Sequence, residues 1–423
     1  MSQDSEPRRP ESDRAKEPAF AAFRFRDFSL FQGSRALLTI GIQMQSVAVG
    51  WHVYDITRRP LDLGYVGLAQ FLPLFLLSLV AGSVADRFDR KKILMTCHVL
   101  IGASAVTLAL MAQSGMRSLE PIYAVLFLFG CVRAFIGPAA QSFLPFMVPA
   151  KTLPSAVAWS SAIWQLAAIV GPALGGIVYA ARGAALVYVS TASLTVITFL
   201  LTALLRVKPE GLERRAIDAK TIFAGVSYVL RNKMILGTIS LDLFAVLCGG
   251  AVALLPAFAR DVLFASPLGL GLLRSAPSIG AALMAASLAV FPLGRRAGIK
   301  MLLSVMVFGA ATVVFALSRS LWLSVAALAV TGAADMISVV VRSTVLQLAT
   351  PPEMRGRVSA VNMIFVGASN ELGEFESGLT ASWLGLERAA AVGGFITCGV
   401  VALWSVLFPS LRRIDRLDDC KPG

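Results

Sequence analysis

Histidine is almost missing from this chain: His52 and His98 are the only two in 423 residues, which excludes a histidine-rich metal centre. Cysteine is scarce as well. Cys97, Cys131, Cys248, Cys398 and Cys420 are scattered with no metal or redox spacing, so they read as core residues. No nucleophile and base stand together, and the GxxxxG runs lie inside apolar stretches without the Lys-Ser/Thr of a phosphate loop. An enzyme is therefore not expected, nor is any cofactor or bound metal. Charge is the last scarcity: only 15% of residues are charged and 57% are hydrophobic, which excludes an ordinary water-soluble globular domain.

What is present is a series of long apolar runs. A helical crossing needs about 20 mostly apolar residues, and twelve stretches qualify, near 28–54, 61–82, 93–113, 121–147, 155–180, 184–205, 234–257, 266–291, 301–318, 321–345, 358–384 and 389–410. The expected fold is an all-α membrane protein. With the N-terminus on the cytoplasmic side, 27 Lys and Arg fall in cytoplasmic segments, 7 on the other side and 4 inside spans, accounting for all 38. That bias satisfies the positive-inside rule, places both termini in the cytoplasm, and explains the net charge of +13 without nucleic acid. Residues 1–19 have no apolar core, so no cleavable signal peptide is expected there. The following "FAAFRFRDFSLF" mixes Phe with Arg24 and Arg26 and suits a membrane-surface lead-in.

The longest polar interruption, "RVKPEGLERRAIDAKTI" at 206–222, separates six spans from six. "VPAKTLPSAVAW" at 148–159 and "TPPEMRGRVSAVN" at 350–362 enter the fifth and eleventh spans with a shared Pro, charge and Ser-Ala-Val order. Duplicated halves with a site between them near the bilayer midplane are a recurrent transporter plan. The expected organisation is a tail and lead-in at 1–27, a six-helix bundle at 28–205, a central cytoplasmic loop at 206–233, a second six-helix bundle at 234–410 and a tail at 411–423.

Between the second and third spans stands "GSVADRFDRKKIL", residues 82–94. Gly82 permits close helix contact, Asp86 can face the positive end of a neighbouring helix, and Arg87, Arg90, Lys91 and Lys92 hold the loop inside. The loop resembles the signature of the major facilitator superfamily, with Asp89 where that family usually carries Gly. The resemblance covers nearly the whole chain. It implies two pseudo-symmetric six-helix bundles that rock about a central site, with Asp86 and Arg90 latching the halves together on the cytoplasmic side. "AAIVGPALGG", with Gly171, Pro172, Gly175 and Gly176, suits tight helix packing and a kink. It also resembles the fifth-span motif of antiporters and exporters in that superfamily. The stretches at 241–263, 271–283 and 370–378 resemble the branch that contains the enterobactin exporter.

Ionisable groups inside a membrane are costly and mark function by default. The spans contain Arg35, Arg133, Arg274 and Arg342 with Asp242, Asp335, Glu371, Glu374 and Glu376. Asp242 and Arg274 fall at similar depths in neighbouring spans, and either form an ion pair or a proton-titrated acid with its releasing arginine. Glu371 and Glu374 share a helical face and Glu376 points away; two close carboxylates repel, which suits one for proton carriage, although contacts to Arg342 or backbone would satisfy them instead. The expected proton-coupling set is Asp242, Glu371, Glu374, Arg274 and Arg133, the last by resemblance to the buried arginine of proton-coupled family members. A polar stripe of Gln32, Arg35, Thr39, Gln43 and Ser46 on the first span, with Asn370 on the eleventh, is the expected substrate cavity. Trp51, Trp159, Trp164 and Trp383 either stack on aromatic cargo or anchor at the interface.

These readings lead to a proton-coupled antiporter of a small amphipathic, siderophore-like molecule in a bacterial inner membrane. It is expected to work as a monomer driven by the proton gradient. A broad multidrug antiporter and a non-transporting scaffold or sensor are the alternatives.

Overall fold

The computed structural model describes residues 20–116, 118–207 and 219–416, except for the side chains of residues 78, 79, 82, 83, 85, 86 and 219–224. The helices are α1 (Arg26–Thr57), α2 (Pro60–Arg87), α3 (Arg90–Gln113), α4 (Glu120–Phe143), α5 (Leu153–Ala203), α6 (Ala219–Arg231) and α7 (Lys233–Gly249). A short α8 (Leu255–Ala257) runs into a π-turn at Phe258–Val262. Then follow α9 (Pro267–Val290), α10 (Ala297–Leu317), α11 (Leu321–Leu348), α12 (Pro352–Leu384), α13 (Leu386–Leu407) and α14 (Pro409–Arg412).

Among the described residues nine helical stretches are long and apolar enough to cross a membrane. One of them, containing α5, doubles back at Arg182–Gly183, where Gly183 has φ 73° and ψ −170°, a region open only to glycine. Two further long helices, α1 and α12, fail that apolar test because of their polar side chains. Counting α5 twice and adding α1 and α12 is consistent with twelve crossings. Proline begins α2, α9 and α12, where its missing N–H costs no hydrogen bond. Asp89, the departure from the signature loop, caps α3 by accepting the Lys91 N–H at 2.9 Å.

Alternating crossings put the start of α1 and the end of α13 on one end of the bundle, here the terminal face. At that end the apolar core is divided: Phe28, Phe31, Phe143 and Leu144 pack within the first six crossings, and Ile235, Met301, Val345 and Leu411 within the last six. At the opposite face one core is shared, with Val47 and Trp51 of α1 packed among Leu255, Phe258, Leu270 and Leu273. The halves therefore close against each other at the opposite face. Of the glycines in the fifth-span motif, Gly176 serves that closure, since a Cβ there would lie 2.6 Å from Pro267 O of α9, while Gly175 packs α5 on α1 within the first half, where a Cβ would lie 2.9 Å from Met44 Cα. A Cβ on Gly171 would meet Gln43 Cβ at 2.6 Å, while Pro172 lies inside α5, its carbonyl facing Gly271.

Segment 206–233 contains more than a loop. α6 is amphipathic and docks on the second half, with Tyr228 Oη donating to Ala349 O at 3.3 Å. The expected tails at 1–19 and 417–423, including Cys420, and most of the polar interruption lie outside the described residues.

Candidate functional site

Glu371 and Glu374 lie three residues apart on α12, so they project from one face toward the first half. Glu371 Oε1 is 3.6 Å from Arg133 Nη1 of α4, and the same nitrogen donates to Gln70 Oε1 of α2 at 3.5 Å. Glu374 packs directly on α2: a Cβ on Gly67 would come within 2.7 Å of its Oε2, so glycine alone leaves room for the carboxylate. From the other side Arg274 of α9 donates to Ser46 Oγ of α1, in space left by Gly50. These groups converge on a cavity of about 90 Å³ lined by Gln43, Gln45, Ser46, Gln70, Arg133, Arg274 and Glu374.

The site thus joins two arginines and two glutamates from both halves. Each half supplies one arginine, Arg133 or Arg274, and α12 supplies both acids. The cavity suits a few water molecules and is well below the roughly 300 Å³ at which drug-sized pockets begin. In this conformation the charges hold each other, and cargo space has to come from movement of the halves.

Several expectations change here. Asp242 does not meet Arg274; it pairs with Arg342 of α11, both side chains less than 10% exposed and both in the second half. Period alone could not choose between two arginines at similar depth, and the α7–α11 contact decides. Glu376 turns away as expected: Thr380 Oγ1 donates to its Oε1 at 2.7 Å, beside Cys248 and Gly250. Of the first-span stripe, Gln43 and Ser46 reach the cavity, but Gln32 is buried against Ser160 of α5 and Arg35 sits 5.7 Å above the Phe31 ring. Thr39 is half-buried outside the cavity lining, and Asn370 is exposed and donates to Val366 O of its own helix at 2.8 Å. A stripe on a long helix meets different neighbours along its length, which the helical period does not show. Gln45 and Gln70 were not singled out by sequence, and Gln70 carried no signal beyond being polar in an apolar run.

The signature loop holds its own half. Arg90 donates to Ser142 Oγ at 3.2 Å and stacks 5.5 Å from Phe146, and Lys91 Nζ donates to Ala203 O and Leu205 O at 2.8 and 2.7 Å. The expected contact of Arg90 across the halves is replaced by these bonds, while Arg87 is exposed. The side chain of Asp86 is outside the described set, and Gly82 lies within α2. Cross-half ion pairs form instead at the opposite face, where Arg260 meets Asp55 and Arg58 Nη1 lies 3.1 Å from Asp261 Oδ1. Tyr54 Oη donates to Asp261 Oδ2 at 2.5 Å. Trp51 lies beneath Arg260, Trp159 stacks with Phe20 and Phe23 of the lead-in, and Trp164 and Trp383 are exposed as bilayer-facing anchors would be.

A family model described as a transmembrane secretion effector matches residues 17–420. The chain belongs to this family of the major facilitator superfamily. It is similar to the multidrug efflux pump Tap of Mycolicibacterium fortuitum, 28% identical over 389 residues, covering 87% of this chain and 92% of Tap. It is also similar to the enterobactin exporter EntS of Citrobacter koseri, 27% identical over 384 residues, covering 90% of this chain and 91% of EntS. The nucleoside transporter NupG shares the fold, with a TM-score of 0.70 at 16% identity, covering 90% of this chain and 99% of that one. As a major facilitator protein the chain is a multi-pass membrane transporter and not an enzyme. In this major facilitator fold the Arg133, Arg274, Glu371 and Glu374 cluster occupies the interface between the halves.

Proposed function

We propose that this transporter exports a small amphipathic molecule, preferably siderophore-like, in exchange for protons. The observation that carries the reading is the pairing of Arg133 with Glu371 across the halves, with Glu374 and Arg274 sharing one water-sized cavity. With both acids ionised, attraction between the halves holds them together at mid-membrane. A proton on Glu371 removes the charge that holds Arg133. An anionic or hydrogen-bonding cargo reaches the same end from the other side, by taking the arginine away from its carboxylate. Either ligand therefore releases the halves, and the empty transporter stays locked, which is the condition for exchange. Asp242, held by Arg342, serves the shape of the second half in this reading. The proton gradient is the energy source, the membrane is the bacterial inner membrane with both termini cytoplasmic, and the working unit is a monomer.

Similarity to Tap favours one second reading, a broad multidrug antiporter with the same coupling. Purified protein in proteoliposomes under an imposed pH gradient separates the two. Movement of one catecholate class supports the first, and movement of many unrelated dyes supports the second. If Glu371→Gln and Glu374→Gln leave pH-driven flux unchanged in folded protein, coupling through these acids fails; no flux of any cargo in the folded wild type would leave a non-transporting scaffold or sensor.

A further inference from the structure

A second cavity, larger than the central one, is far from the charged cluster. It lies at the terminal face between the start of α7 and the end of α13, holds about 650 Å³, and is lined by Lys233, Met234, Leu407, Phe408, Arg413 and Arg416 among others. That volume falls in the range of small-molecule pockets, about 300–1,000 Å³. The one acid in its lining, Asp415, is already engaged: Arg295 Nε and Arg296 N–H donate to its two oxygens at 3.1 and 3.0 Å. The side chains of Lys233, Arg413 and Arg416 form no ion pair or hydrogen bond with a described residue. The pocket is thus a concave group of cations, unpaired among the described residues, over an apolar floor. Leu403, Val406 and Leu407 continue that floor along the outside of α13, each more than half exposed.

We propose that this pocket binds the phosphate headgroup of an anionic phospholipid from the surrounding leaflet, with its acyl chains along the exposed face of α13. The cations supply the charge complement, and each basic residue near a membrane surface contributes attraction to anionic lipid. A free phosphate shares the headgroup chemistry. The exposed apolar strip leading from the pocket favours the lipid, since a free anion gains nothing from it. Bound there, one lipid would bridge α7 and α13 and thereby brace the second half.

The test uses full-length purified protein in detergent, melted against increasing dioleoyl phosphatidylglycerol, dioleoyl phosphatidylcholine or inorganic phosphate. Phosphatidylglycerol is expected to stabilise the wild type, phosphatidylcholine and inorganic phosphate at equal phosphate concentration not. The variant Lys233→Ser/Arg413→Ser should weaken phosphatidylglycerol binding about 25-fold, at about five-fold per cation. Arg231→Ser/Arg412→Ser removes the same charge from exposed neighbours outside the lining and should weaken binding by less than that, through the screened surface field alone. Equal losses in the two variants would reduce the effect to general surface charge and overturn the site. Equal stabilisation by inorganic phosphate would make the ligand a free anion. Native mass spectrometry of the wild type reads the site without any variant: one retained phosphatidylglycerol is expected, and a graded series of adducts identical for both lipids would refute it.

Discussion

Removing Asp261 should open the transporter at the opposite face. Its carboxylate accepts from Tyr54 at 2.5 Å and pairs with Arg58 at 3.1 Å, and both partners end α1 in the first half while Asp261 follows α8 in the second. Both contacts require the closed face, so their energy bears wholly on the equilibrium between closed and open. The Arg58–Asp261 side chains are 53% and 37% exposed, which limits that pair to about 1 kcal/mol or less. Replacing the charged acceptor of the tyrosine bond by a neutral one costs about 1 kcal/mol more. Asp261→Asn keeps the shape and should cost about 1–2 kcal/mol, a shift of about 5- to 30-fold toward the open face. The adjoining Arg260–Asp55 pair, with Trp51 beneath the guanidinium at 5.7 Å, should contribute independently. Spin-label distances between the ends of α1 and α9 at that face, measured in nanodiscs, would show the longer population growing. Exchanging the partners, Asp55→Arg with Arg260→Asp, should restore the wild-type distribution where either change alone does not. An unchanged distribution in both Asp261→Asn and Arg260→Gln would refute the claim that these pairs hold the face shut.

The other predictions concern the buried charges and the docking of the chain's last described turn. Asp242→Asn alone should cost about 3–5 kcal/mol by stranding Arg342, whereas Asp242→Leu with Arg342→Met should be near neutral in thermal melts and retain flux if the pair is structural. Gly67→Ala should displace the Glu374 carboxylate, lowering pH-driven flux more than it lowers the melting temperature, at an overpacking cost of about 1–3 kcal/mol. Hydrogen bonds from Arg296 N–H and then Arg295 hold the Asp415 carboxyl below its ordinary range. Because its folded value is depressed, that anchor is present above the unfolded value and is lost as pH falls through the folded one; hydrogen exchange at Ala297 and Gly298, which donate to Asp415 O and Ile414 O, should quicken there and not at neutral pH.

The twelve apolar stretches, the break after the sixth and the signature loop were legible because each is local: a run of apolar residues or a fixed spacing. Even the charged residues of the central cluster were legible as a set, since Arg133, Arg274, Glu371 and Glu374 stand out against apolar neighbours. Their partners were not. Asp242 joined Arg342 instead of Arg274, and Arg90 joined Ser142 in place of a residue across the halves. A helical period fixes which side chains share a face, and says nothing of which helix that face meets. Gln32 shows the same limit: it stands on the same stripe as Gln43, yet packs on Ser160 about three turns closer to the terminal face. The closure pairs at Asp55, Arg58, Arg260 and Asp261 carry no mark in the sequence, because they form only where the end of α1 meets the π-turn.

The two helices that fail the apolar test are the ones that supply much of the cavity wall. α1 brings Gln43, Gln45 and Ser46, and α12 brings Glu374, with Glu371 beside it on Arg133. A helix facing lipid on all sides could not carry such side chains at several kcal/mol each, so both must be sheltered by other helices. α2 shelters α12 through Gly64 and Gly67, and the first arm of α5 shelters α1 through Gly171 and Gly175. The small residues that permit close packing and the charges that need shelter are therefore two parts of one requirement. Weak hydropathy in an otherwise apolar chain marks the helices that line the site, and strong hydropathy marks those that can face the bilayer.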